Sequence, residues 1–146
     1  MQLLQKYKKT KFGEIPKEWD LETIKNTSQK LVVGFVGICN PFYTDNKGIP
    51  MIRTTNVKEG QLDLSNLKYV TKEFHEKNKK SQLKENDLIV ARHGENGTGC
   101  LVKGLKEANC LSVVIIRPNP SFFIPEYFEF VIRVAPEISF LSILCL

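Results

Sequence analysis

The chain has 146 residues, 42% hydrophobic and 25% charged, with a formal net charge of +5 and a pI near 9.0. That length fits one domain able to bury a core without metal or disulfide help, and it leaves no room for a second catalytic domain. No apolar run reaches the ~18 residues of a membrane helix, and Lys6, Lys8, Lys9 and Lys11 lead into no secretory signal, so the expectation is a cytoplasmic protein whose basic balance suits nucleic acid rather than membrane.

In chain order, Gly13 to Pro16, "GEIP", predicts a turn, and the alternation of Trp19 to Ile24, "WDLETI", predicts a first strand. Leu31 to Cys39, "LVVGFVGIC", is a β-branched run broken by two glycines, which fits a bent or bulged strand. Ile49 to Thr55, "IPMIRTT", has an early proline that suits a strand start or an edge. Thr71 to Lys80 carries a capping threonine, early acids and late lysines, the charge order that a helix dipole favours. Asp87 to Arg92 predicts a buried strand, Gly94 to Gly99 a loop, Cys100 to Val102 a return strand, and Cys110 to Arg117, "CLSVVIIR", the most apolar strand. Pro125 then opens a helix, where a first-turn proline is well placed. The sum is an α+β domain, a curved and mostly β sheet with a few helices.

Catalytic templates fit poorly. Cys39, Cys100, Cys110 and Cys145 form no C-x-x-C pair and have no ligand spacing with His75 or His93, so free buried thiols are expected and no metal. Asn40-Pro41-Phe42-Tyr43 is one proline short of the loop with which amino-methyltransferases grip a flipped base. The glycines of residues 31–39 lead into no helix that would hold S-adenosylmethionine. "GENGTG", residues 94–99, lacks the Gly-Lys-[Ser/Thr] ending of a phosphate-binding loop. The expectation is a non-catalytic chain without a cofactor.

Two polar segments at strand ends carry the side chains that fit base edges. Arg53, Thr54, Thr55 and Asn56 leave one strand, and Arg92, His93, Asn96 and Thr98 leave another on a glycine-rich backbone. Lys47 and Lys58 flank the first of these strands and suit phosphate contacts. Two solvated turns remain the bland alternative.

Residues 11–26 ("KFGEIPKEWDLETIKN"), 48–71 ("GIPMIRTTNVKEGQLDLSNLKYVT") and 83–102 ("LKENDLIVARHGENGTGCLV") resemble, in consistent order, a target recognition domain from the DNA specificity subunit of type I restriction-modification systems. "IIRPNPSFFIPEYFEFVI", residues 115–132, is similar to the segment leading to that family's helix, so the resemblance covers roughly residues 9–132. It implies a domain that reads one half of a split double-stranded DNA site, positions a separate methyltransferase subunit and, through it, a restriction subunit. It also implies an α+β fold whose loops face the major groove, with Tyr43 and its neighbours in the DNA-facing stretch before "GIP". Gly48, Ile49, Pro50, Asp87, Arg92 and Gly94 match the family's framework.

Residues 1–134 are expected to form a single target recognition domain. Residues 135–146, "APEISFLSILCL", form an apolar tail where the family would continue into a long helix, which reads as a truncation and leaves room for a second specificity half-subunit. The alternatives carried forward are a small DNA-modifying enzyme and an inactive remnant.

Overall fold

The computed structural model describes residues 6–58, 60–92 and 98–134, the Ile132 side chain excepted. In chain order these form β1 (Tyr7–Thr10), β2 (Gly13–Pro16), β3 (Ser28–Val33), β4 (Tyr43–Thr44), β5 (Ile49–Arg53), β6 (Val57–Lys58), β7 (Gln61–Leu62) and β8 (Lys68–Val70). There follow α1 (Lys72–Lys77), β9 (Gln82–Leu83), β10 (Leu88–Ala91), β11 (Gly99–Leu101), β12 (Ala108–Leu111), β13 (Val113–Pro118) and α2 (Pro125–Val134), with 3-10 turns at Asn40–Phe42, Thr54–Asn56 and Lys79–Ser81. The α+β class read from the sequence is the class observed.

Strand alternation sorts the apolar residues into layers. In β10, Leu88 and Val90 point one way and Ile89 and Ala91 the other, because successive side chains of a strand leave opposite faces. Leu88 and Val90 pack with Val114, Ile116 and Phe128 of α2. Ile89 and Ala91 pack with Val113 and Ile115 against Ile52, Ala108 and Cys110, and Met51 and Val70 lie with Phe74 of α1. The layers thus run α2, a four-stranded sheet ordered β11-β10-β13-β3, a five-stranded sheet ordered β4-β8-β5-β12-β9, and α1. Each fully buried Ile or Leu in these layers contributes about 1.5–3 kcal/mol.

The "CLSVVIIR" run is therefore two strands in two sheets rather than one. Ser112 sits between β12 and β13 with φ 56°, and this left-handed residue turns the chain out of one sheet and into the other. Gly34 makes the junction possible, since a Cβ there would meet the Cys110 Sγ at 2.4 Å. Its N–H donates to the Val113 carbonyl at 2.8 Å. The bend expected in residues 31–39 is thus present: β3 ends at Val33, and Phe35 bridges to Leu111 in the other sheet.

Two expectations are corrected at the N-terminal end. "GEIP" is the strand β2, paired antiparallel with β1, and the turn falls before it, with the Thr10 hydroxyl donating to the Gly13 carbonyl at 2.8 Å. "WDLETI" is not a strand, and none of the described strands pairs with it. Thr23 instead starts a turn, accepting from the N–H groups of Asn26 at 3.1 Å and Thr27 at 3.2 Å. β5, for which an edge was one option, lies in the sheet interior between β8 and the parallel β12.

Other local signals hold. Thr71 caps α1 by accepting from the Phe74 N–H, and Pro125 opens α2. β11, the outer strand of its sheet, is covered by α2, whose Glu129 carboxylate accepts from the Leu101 N–H at 3.0 Å. Cys39, Cys100 and Cys110 are buried free thiols; Cys145 lies outside the described residues, as does the whole 135–146 tail.

Candidate nucleic-acid interface

β5 and β12 run parallel, with Arg53 in register with Leu111, so the polar run after β5 emerges at the same end as the junction after β12. Thr54–Asn56 make a 3-10 turn there, and the short β6–β7 hairpin follows. That hairpin lies against β11, with the Gly60 N–H donating to the Gly99 carbonyl at 3.1 Å. The N–H of Ala91 donates to the Thr98 carbonyl at 2.9 Å. The fold thereby brings residues 53–58 together with Ala91, Arg92 and Thr98, the described residues of the second predicted segment, at one end of the sheets.

Within that cluster the side chains divide by exposure. Thr55, Lys58 and Arg92 are exposed, while Thr54 and Thr98 are half-buried. Asn56 is 1% exposed. Its Oδ1 accepts from the Arg53 N–H at 3.0 Å, and its Nδ2 donates to the carbonyls of Asp63 at 3.0 Å and Asn66 at 3.3 Å. A side chain so fully engaged braces the turn. Arg53 is half-buried; its Nη2 donates to the Asn66 carbonyl at 2.8 Å, and its Nε is buried without a partner among the described residues. One Nη2 hydrogen of Arg53 is thus engaged by the turn, which ties the guanidinium to the Asn66 carbonyl.

The remaining candidates stand apart. Lys47 is exposed in the turn that opens β5, so the length of that strand, roughly 17 Å, separates it from Arg53. Gly48, Ile49 and Pro50 likewise open β5. Tyr43 is half-buried on β4 and packs on Cys39, Met51, Val70 and Phe74; burial first, then nearby Cys39, push its phenol above the ordinary value, with Arg53 opposing. Phe42 is exposed, with its ring 4.9 Å from that of Phe74. His93, Gly94 and Asn96 lie outside the described residues. Among the described residues, none of Arg53, Lys58 and Arg92 is in an ion pair.

Sequence reasoning named Asp87 as a framework residue but missed the partner with which it anchors β10, Arg117. Asp87, 0% exposed, accepts from Arg117 Nε at 2.6 Å and Nη2 at 2.7 Å and from the Lys84 N–H at 2.8 Å. The partner of Asp87 is thirty residues away, so no local spacing announces it.

A two-sheet α+β domain with a polar cluster at one strand end is thus the class defined by fold and site. The chain is 29% identical over 117 residues to the type I restriction enzyme EcoBI specificity subunit of Escherichia coli, covering 77% of this chain and 24% of that protein. It is 24% identical over 134 residues to the type I restriction enzyme MjaX specificity subunit of Methanocaldococcus jannaschii, covering 88% of this chain and 31% of the relative. The HsdS subunit from Thermoanaerobacter tengcongensis shares the fold with a TM-score of 0.60 at 10% identity, over 94% of this chain and 32% of that one. A chain from a structure of the type I R-M system in assembly and conformational transition matches with a TM-score of 0.58 at 10% identity, over 94% and 33%. The chain therefore spans about a quarter to a third of the proteins it resembles. No family model matches it. The resemblance to a type I target recognition domain drawn from the sequence is borne out by these relatives, and the fold by the solved structures. Among the described residues no helix is long and apolar enough to cross a membrane.

Proposed function

We propose that this chain is a sequence-reading double-stranded DNA module of a type I restriction-modification specificity subunit. It reads one half-site and directs a separate cytoplasmic methyltransferase subunit, and through it a restriction subunit, without catalysis or cofactor of its own. A second specificity half-subunit would supply the other half-site. The observation that carries the reading is the convergence of Thr54, Thr55, Lys58, Arg92 and Thr98 at one strand end, in a chain whose relatives are specificity subunits.

Within it, Thr54, Thr55 and Thr98 offer hydroxyls and methyls to base edges, and Arg92 is the exposed guanidinium. Lys58 serves phosphate, and Lys47 a phosphate farther along the duplex. Arg53 and Asn56 hold the turn that carries the threonines, and Tyr43 supports the sheet beneath. His93 and Asn96 are assigned to reading by residue type alone. The experiment is selection from a randomised duplex library, with the methyltransferase subunit present and absent. A short enriched motif is expected; a library that stays random under both conditions would sink the reading.

A further inference from the structure

The same strand end carries an apolar feature that hydrogen-bonding residues do not explain. Phe35 donates its N–H to the Cys110 carbonyl and accepts from the Ser112 N–H, both at 2.9 Å. Four residues on, Cys39 returns to the core at 3% exposure beside Met51, Val70 and Phe74. The stretch between, Val36 to Ile38, is a short tip held at both feet. Gly37 turns it with φ +153°, and a Cβ at that position would come within 3.1 Å of the Phe35 ring. At the tip Val36 is 62% and Ile38 77% exposed, while one foot, Phe35, is bridged to the sheet and the other, Cys39, is buried in the core.

The placement of this tip follows from register. Phe35 bridges in parallel to Leu111, and Leu111 is in register with Arg53. Two strand spacings, roughly 10 Å, therefore separate Phe35 from Arg53, which is about three base steps at ~3.4 Å each. Since all three segments run the same way, Val36 leaves the sheet at the end where Thr54 leaves it.

We propose that the Val36–Ile38 tip reads a pyrimidine 5-methyl group, thymine in ordinary duplex, in the major groove about three base steps from the base facing Thr54 and Thr55. The inference rests on the DNA-reading function above and deepens it. Side chains without a polar atom cannot discriminate hydrogen-bond donors from acceptors, and the thymine methyl is the one apolar group that the major-groove edge presents. A β-branched pair on fixed feet excludes water from such a methyl with little loss of side-chain freedom. Two side chains are too small a patch for a stable protein partner, which needs about 800 Å² from each side. Asn40, just beyond the Cys39 foot, is exposed and polar.

The test uses the whole chain with its methyltransferase subunit and the duplex enriched by the selection above. Each thymine is replaced in turn by uracil, which removes only the methyl. At one thymine the parent should lose about four-fold in affinity, the worth of burying one methyl carbon. Ile38→Ser, an exposed change that should melt like the parent, should lose a similar factor on the thymine duplex and be indifferent to uracil at that position; Val36→Ser provides the second variant. An enriched site whose thymines all tolerate uracil, or an Ile38→Ser and Val36→Ser pair that keep the full methyl dependence, overturns the tip assignment while leaving DNA reading intact. Failure to enrich any duplex overturns both.

Discussion

Arg117 on β13 grips the fully buried carboxylate of Asp87 with two hydrogen bonds, at 2.6 and 2.7 Å. Asp87 also accepts from the Lys84 N–H, and its own carbonyl accepts from the Val102 N–H at 2.8 Å, so one residue ties the start of β10 to three segments. Removing Arg117 leaves a negative charge in the interior, at a cost of about 3–5 kcal/mol. Arg117→Met should therefore lower the melting temperature by on the order of 10 °C. An Arg117→Met protein that melts with the parent would show that water compensates Asp87.

At Ser112 the cost is conformational. A non-glycine residue in the left-handed region is strained by about 1–2 kcal/mol, and glycine removes that strain while losing more freedom on folding. Ser112→Gly should thus be neutral or stabilising by up to about 1 kcal/mol, and Ser112→Val clearly destabilising, in urea denaturation. The reverse order would mean that the Ser112 side chain, and not its backbone, holds the sheet junction.

Arg53 and Arg92 are expected to respond oppositely. Arg53→Ala forfeits a charged bond to the Asn66 carbonyl and should lower stability by about 1–2 kcal/mol. Arg92 is exposed, so Arg92→Ala should melt unchanged yet lose about 1–3 kcal/mol on the enriched duplex and much less on random DNA. Paired melting and binding curves decide; equal loss on both duplexes would remove Arg92 from base reading.

Lys58 tests the electrostatic part. Neutralising one fewer phosphate should reduce the slope of log affinity against log salt by about 0.9, equally on matched and random duplexes. An unchanged slope for Lys58→Ala places the backbone contact elsewhere.

The buried thiols make alkaline stability predictable in sign. Burial pushes Cys100 and Cys110 from 9.0 up to about 12, so above pH 9.0 the folded chain keeps protons that the unfolded chain releases. Stability from this source is complete below the unfolded value and falls as pH rises from about 9 toward about 12. The Cys100→Ala/Cys110→Ala double variant should show a shallower alkaline fall in urea midpoint than the parent; parallel curves would assign the fall to other groups.

Local chemistry was legible in the sequence and tertiary partnership was not. Thr71 and Pro125 announced their helices because capping and proline geometry act within one turn. "DLIVAR" announced a doubly buried strand because every residue was apolar between two charges. "CLSVVIIR" hid its break, since a serine within a β-branched run carries no mark of a left-handed backbone. "WDLETI" alternated correctly, but none of the described strands pairs with it. At the interface, residue type picked out the segments that converge. The bracing bonds of Asn56 and Arg53 were not legible, because their partners, Asp63 and Asn66, lie seven to thirteen residues on. The exposure of Val36 and Ile38 was not legible, since they are embedded in the apolar run 31–39 that was read as a bent or bulged strand.

The contact between Glu129 and the Leu101 N–H bears on how this domain avoids its own kind. An outer strand with free N–H groups is a template on which a second chain can add a strand, and the sheet of β10, β11 and β13 is apolar enough for such growth to be self-propagating. α2 closes that side by covering β11, and its carboxylate occupies a donor that an incoming strand would seek. Loss of α2, by proteolysis ahead of Pro125, would therefore uncover the Leu101 donor on the part of β11 that the β6–β7 hairpin does not cover, making the helix a guard against strand addition as much as a structural end-piece.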